Sequence, residues 1–184
     1  MSEIASNDYL ECLLKSWSIK PTESQSWLNQ LRSQAIDRVS AQKLPTKRDE
    51  EWRFTDISSL THLPYRPSQS ECALQASDIE HLYLNEAENS LVFVDGHYSP
   101  ELSKIVDQAA LVIGNLPEFL STHSATLECH LGQYATFENN VFSALNTAFL
   151  RDAALILVPK NVSVTRPIHL LFIATQQEVT SYPR

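Results

Sequence analysis

Cys129 and His130 are the one adjacent cysteine–histidine pair in the chain, and thiolate beside imidazole is ligand chemistry for zinc and for softer transition metals. A closed tetrahedral site needs two further ligands, and no second pair stands at ligand spacing. The other cysteines, Cys12 and Cys72, lie far away, and an odd number without short spacing argues against both a disulfide framework and a zinc ribbon. All three cysteines are expected to be small buried apolar residues. His169 sits inside an apolar run, where a histidine bonded to a neighbouring backbone group is the ordinary finding. His62, His81, His97 and His123 are scattered, with no serine or cysteine placed by a motif to make a nucleophilic triad. The carboxylate pairs Glu50/Glu51 and Glu86/Glu88 read as solvated faces, because acid–base work needs a cleft that drives their pKa values apart. Glycine occurs only at Gly96, Gly114 and Gly132, which excludes the phosphate-cradling loops. The expectation is a chain with no catalytic, cofactor-binding or metal-binding residue of its own.

One segment, LPTKRDEEWRFTD (44–56), is dense in signals of another kind. Pro45 stops the preceding helix, Thr46 can cap a new element, and Asp49, Glu50 and Glu51 suit its positive end. Trp52 and Phe54 are expected to pin that element onto the body of the protein. The alternative for Trp52 is contact with a partner, and solvent exposure separates the two.

Helices must position these residues. Ser6 or Asn7 can cap a first helix carrying Tyr9, Leu10, Leu13, Leu14 and Trp17 at helical spacing. Pro21 followed by Thr22 and Gln25 reads as a stop and a capping box, and Trp27, Leu28, Leu31, Ala35, Ile36 and Val39 stripe the next helix. Residues 61–77 read as a loop or linker. Leu91–Tyr98 reads as a strand entering an Asp95-Gly96 hairpin turn, and Leu111–Gly114 as a short strand. A helix capped by Asn115 with Pro117 in its first turn follows, then a mostly helical stretch from Ser124 to Arg151. From Ala153 the period changes to strands: Ala154–Val158, an alternating Val162–Val164, and Ile168–Ala174. The fold class read from this order is α+β, organised as a helical region (1–60), a linker (61–77), a mixed α/β segment (78–152) and a strand region (153–184) whose short apolar strands suit the first rungs of a parallel β-solenoid and, almost as well, the edge of a sandwich. Strands this apolar need cover and edge partners, so the chain is expected to be the front of a larger protein.

Composition narrows the function classes. Of the 184 residues, 43% are hydrophobic and 20% charged, ordinary for a globular protein, and the net charge of −8 with no basic stripe argues against nucleic acid. No apolar run approaches the length of a membrane span, and MSEIASNDYLECLLKSW has the wrong charges for an export or transit signal. A cytoplasmic location is expected.

Three segments together resemble the SufB/SufD family of the SUF iron–sulfur cluster assembly system: LPTKRDEEWRFTD (44–56), LVFVDGHYSPELS (91–103) and SALNTAFLRDAALILVPKNVSVTRPIHLLFIAT (143–175). The first segment and the ALNTAF phrase are closer to SufD members than to SufB members. The resemblance implies a helical N-terminal region leading into a right-handed parallel β-helix. It also implies a non-enzymatic scaffold role with SufB-like and SufC-like subunits, the latter an ATPase, with the cluster-related cysteine and histidine positions lying beyond this segment. One departure stands out: Asp152-Ala153 occupies a place where the family has Asp-Gly. A positive φ there would cost alanine about 1 kcal/mol, and a turn type that tolerates alanine is the expectation. The competing readings are a β-solenoid carbohydrate-active enzyme, for which the apolar strands offer only Lys160, Arg166 and His169, and a stand-alone helical docking module in residues 1–60.

Overall fold

Leu28, Ala35, Ile36 and Val39 recur at the spacing of one helical face, and that face has to be covered. In the computed structural model, which describes residues 2–17, 26–61, 65–68, 74–106 and 111–184 with side chains from residue 9 onward, they lie buried on helix α2 (Ser26–Ala41). The described residues form two units interleaved along the chain: Met1–Pro67 with Glu128–Phe149 and Gln177–Thr180, and Ser68–Leu127 with Leu150–Gln176 and Ser181–Arg184. The arrangement is α+β with small sheets.

In the first unit, α2 packs against a helix from much later in the chain, Val141–Ala148, here α7. Ala35, Ala144 and Ala148 are all fully buried and leave room for the two backbones to come together. The cover for residues 1–60 thus comes from outside that span. Helix α1 (Ser2–Ser16) buries Tyr9, Leu10 and Leu13. It starts earlier than the expected cap at Ser6 or Asn7. The capping box at Thr22 and Gln25 lies outside the described residues. The Trp17 indole N–H donates to the Ala148 carbonyl at 3.0 Å, satisfying a carbonyl at the end of α7 that has no intrahelical partner.

The expected helical run from 124 to 151 is divided. Helix α6 (Ser124–His130) is followed by Gly132 at φ +81°, where a Cβ would come within 3.0 Å of Leu31 Cδ1. A left-handed glycine just past a helix end terminates it. Asn140 then restarts the helix, its Oδ1 accepting from the amides of Phe142 and Ser143, both at 3.0 Å.

In the second unit, β2 (Asn89–Val94) is buried at every position. Val92 and Val94 face Ile79 and Leu102, while Leu91 and Phe93 face Leu111 and Ile113. The Asp95-Gly96 turn, with φ values of 50° and 87°, returns the chain as β3 (His97–Tyr98), as the sequence predicts. On its other edge β2 pairs in parallel with β6 (Ile168–Ile173), from Asn89↔Ile168 to Val94↔Ile173. A separate two-stranded sheet pairs β4 (Val112–Asn115) antiparallel to β5 (Ala154–Leu157). Helix α5 (Leu116–Thr122) begins as predicted, with Asn115 Oδ1 accepting from Glu118 N at 3.3 Å and Pro117 in its first turn. The alternating run Val162–Val164 forms no strand. Val162 N instead closes a turn on Pro159 O at 3.2 Å, with Asn161 at φ 68°.

A test of this core contrasts two leucines. Leu91→Ala, at a fully buried site in β2, should lower unfolding free energy by about 3 kcal/mol in urea titrations, and Leu82→Ala, 40% exposed, by less than about 1 kcal/mol.

Candidate interaction surface

The segment 44–56 folds on its own hydrogen bonds. Thr46 and Asp49 grip each other: Asp49 Oδ2 accepts from Thr46 N at 2.7 Å and from Thr46 Oγ1 at 3.1 Å, while Thr46 Oγ1 accepts from Arg48 N at 3.2 Å. A 3-10 turn, Glu50–Trp52, follows and places Glu50 and Glu51 in its first turn. Lys47 Nζ then reaches Asp56 Oδ2 at 2.7 Å, and Asp56 Oδ1 accepts from Ser58 N at 3.0 Å at the start of the short helix α3, Ser58–Thr61. The Lys47 ammonium, followed by the Ser58 hydrogen bonds, holds the exposed Asp56 carboxyl well below the usual range. Ends and middle of the loop are therefore tied together.

The two aromatics of this loop part company. Trp52 is half-buried and packs on Phe142 of α7, with ring centroids 5.3 Å apart, which is the anchoring role expected of it. Phe54 is 93% exposed, and the expectation that it pins the loop is wrong. The backbone turns again after Trp52, with Thr55 N donating to Trp52 O at 2.9 Å, and this sends the side chain outward. The Arg53 guanidinium lies 5.6 Å from the Phe54 ring centroid.

The residues singled out for metal or acid–base chemistry are not gathered into one site. Cys12 and Cys129 are exposed free thiols, contrary to the expectation of burial, because each falls on the outer side of its helix; Cys72 and His62 lie outside the described residues. His130 Nδ1 lies 2.6 Å from the Tyr134 hydroxyl, and the two rings stack. His123 Nδ1 lies 2.8 Å from Thr122 Oγ1. His169 has Nδ1 buried without a hydrogen-bond partner among the described residues, and its ring meets Tyr83 edge-on where a backbone group was expected. His97 Nε2 is likewise buried, and His81 is exposed. Glu50, Glu51 and Glu86 are exposed and Glu88 half-buried. Among the described residues no three His, Cys, Asp or Glu side chains come together as a metal site.

Two carboxylates that sequence reasoning passed over organise the second unit. Asp152 Oδ2 accepts from Tyr98 N at 3.0 Å and Asn115 Nδ2 at 3.3 Å, and its Oδ1 from Leu116 N at 3.1 Å and Ala153 N at 2.9 Å. Ala153 is buried and is not among the residues of positive φ, so alanine carries no backbone penalty there. Asp95, itself at φ 50° and buried, accepts from Thr175 N at 2.8 Å, Thr175 Oγ1 at 2.5 Å and Gln176 Nε2 at 3.0 Å. Burial opposes its charge, but the hydrogen bonds from Thr175 and Gln176 outweigh this and hold the carboxyl below the ordinary carboxylate range. The signal in the sequence was the hairpin Asp-Gly itself, read for its backbone and not for its carboxylate.

Residues 4–170 match the family model described as SufBD protein N-terminal region. The chain belongs to the SufBD family. Relatives of this SufBD chain include an iron–sulfur cluster assembly SufBD family protein of Synechocystis sp., 37% identical over 166 residues that cover 89% of this chain and 36% of the relative. The iron–sulfur cluster assembly protein SufD of Bacillus subtilis is 24% identical over 169 residues, 87% of this chain and 38% of the relative. The SufBD chain described here thus spans a little over a third of the length of the relatives it matches.

Two measurements check the assignments in this region. Trp52→Ala should cost about 2 kcal/mol in denaturant unfolding, through loss of the Phe142 contact. For Asp95 the folded pKa lies below the unfolded value of about 3.9, so its stabilisation is fully present above that pH and disappears as pH falls through the folded pKa. Asp95→Asn should therefore be less stable at pH 7 and show a shallower loss of stability as pH falls below about 4 than the parent chain.

Proposed function

We propose that this chain is the N-terminal region of a SufD-like scaffold subunit that takes part in iron–sulfur cluster assembly with SufB-like and SufC-like subunits in the cytoplasm. The observation that carries the reading is the family match across residues 4–170, together with relatives named for iron–sulfur cluster assembly. The role is one of holding and presenting partners, with no catalytic step in this segment. In keeping with a cytoplasmic site, no helix among the described residues is long and apolar enough to cross a membrane.

The sheet geometry supports a second element of the proposal, that β2 and β6 open a right-handed parallel β-helix. The two strands run parallel in register, and the paired Phe93 and Phe172 stack with centroids 5.1 Å apart and planes 21° from parallel, as residues in successive solenoid rungs do. No strand among the described residues pairs with the outer edge of β6, and Leu170 and Phe172 are 39% and 43% exposed. An apolar edge strand of this kind calls for a further strand beside it. The side chains of β5 and β6 offer no groove of acids for polysaccharide chemistry, and nothing in the structure favours the carbohydrate-enzyme reading.

The test is co-purification of the full-length parent with the SufB-like and SufC-like proteins of its source; failure to associate with either would sink the scaffold reading. Hydrogen exchange bears on the solenoid. Amides of Ile168–Ile173 should exchange at least tenfold more slowly in the full-length parent than in this 184-residue chain, and equal rates would argue against rungs stacked on β6.

A further inference from the structure

We propose that the Asp95–Gly96 bond is a modification site, an aspartyl–glycyl link that converts to isoaspartate once released and that the residues just past β6 hold in the unreactive state.

Asp95 is the one aspartate or asparagine in the chain that a glycine follows. With no Cβ beside it, a glycine amide reaches the preceding carboxyl more readily than that of any other residue. In the reaction the Gly96 nitrogen bonds to Asp95 Cγ. The carboxyl hydroxyl leaves with the amide proton as water, and a five-membered succinimide closes. Water then adds back, and opening at the main-chain carbonyl leaves the backbone running through the Asp95 β-carbon. Nothing is oxidised or reduced, and the composition is unchanged.

The fold holds each participant away from that path. Both carboxyl oxygens are committed beyond β6: Oδ1 accepts from Thr175 N at 2.8 Å, and Oδ2 from Thr175 Oγ1 at 2.5 Å and Gln176 Nε2 at 3.0 Å. These bonds fix Cγ in place and favour the anion, which is the poorer electrophile. The peptide is held as well. Asp95 N donates to Ile173 O at 2.8 Å, and a Cβ on Gly96 would lie 3.1 Å from Ser181 Cβ, so Gly96 is closely packed. Asp95 is 3% exposed, which limits the water that the second step consumes.

The same contacts make the site sensitive to the end of β6. Thr175 and Gln176 follow directly on that strand, so loosening it frees the carboxyl and the turn together. Conversion would add one methylene to the backbone of the turn between the paired Val94 and His97, and remove it from the side chain that reaches Thr175. The tie between hairpin and β6 would then be lost.

The experiment ages the full-length parent in native buffer and in urea, and measures isoaspartate at position 95 by peptide mapping with electron-transfer fragmentation. The unfolded chain should convert at least about tenfold faster than the folded one. In native buffer Thr175→Val should convert about fivefold faster than the parent, and Gln176→Ala, at an exposed position, about twofold faster. Thr175→Ser keeps the hydroxyl and should convert at the parent rate. Trp52→Ala, which weakens the other unit, should do the same. If Thr175→Val does not fold, Gln176→Ala decides. A folded parent that converts as fast as the unfolded one overturns the proposal, as does a parent-like rate in both Thr175→Val and Gln176→Ala. Acceleration by Trp52→Ala equal to that of Thr175→Val overturns it too, because conversion would then follow general unfolding.

Discussion

Strand β2 is buried along its whole length, and its parallel register with β6 is the constraint that the second unit is built around. A parallel pair cannot be joined by a hairpin, so the chain must leave the end of β2, travel, and return to the start of β6 before the pairing closes. Residues 95–167 make that excursion. Closing so long a loop carries an entropic cost that grows only with the logarithm of its length, and the two-sided apolar burial of Leu91, Val92, Phe93 and Val94 offsets it. Covering both faces of β2 requires different parts of the chain, with Ile79 and Leu102 on one side and Leu111 and Ile113 on the other.

Hydrophobic burial fixes that β2 lies inside, but it has no direction of its own, and two carboxylates supply the direction. Asp95 ties the hairpin turn to the residues just past β6, so the two strands end together. Asp152 ties β3, the start of α5 and the start of β5 to one point. Each collects amide or hydroxyl donors that would otherwise be left unmet at strand and helix ends, and charge-assisted bonds of this kind are stronger than neutral ones. The first unit solves the equivalent problem with neutral groups: Trp17 caps α7 at its end and Asn140 at its start.

The loop at 44–56 closes on its own bonds and leaves one aromatic in solvent. A short run of sequence carries its own turn, its own ion pair and its own anchor, so the residue at its tip is relieved of structural duty. The outer edge of β6 has no strand partner among the described residues, and Leu170 and Phe172 on that strand are partly exposed.

Local chemistry was legible in the residues. The Asp95-Gly96 hairpin, the Asn115-Pro117 helix start, the α2 stripe and the strands at 154 and 168 follow from backbone preference and period, which act over a few positions. Family membership was legible too, because three motifs with fixed order are a property of sequence. The partners of those elements were not legible. That α2 is covered by α7, that β5 pairs antiparallel to β4 while β6 pairs parallel to β2, and that Asp95 serves Thr175 are facts about residues distant in sequence. The pattern of LPTKRDEEWRFTD marked both aromatics as anchors, and only the path of the backbone past Trp52 separated the buried ring from the exposed one. Sequence determined which elements form and where they turn, since those choices are made by local sterics and hydrogen bonds. Tertiary structure decided which face meets which, since that depends on whole-chain packing that no short window of residues contains.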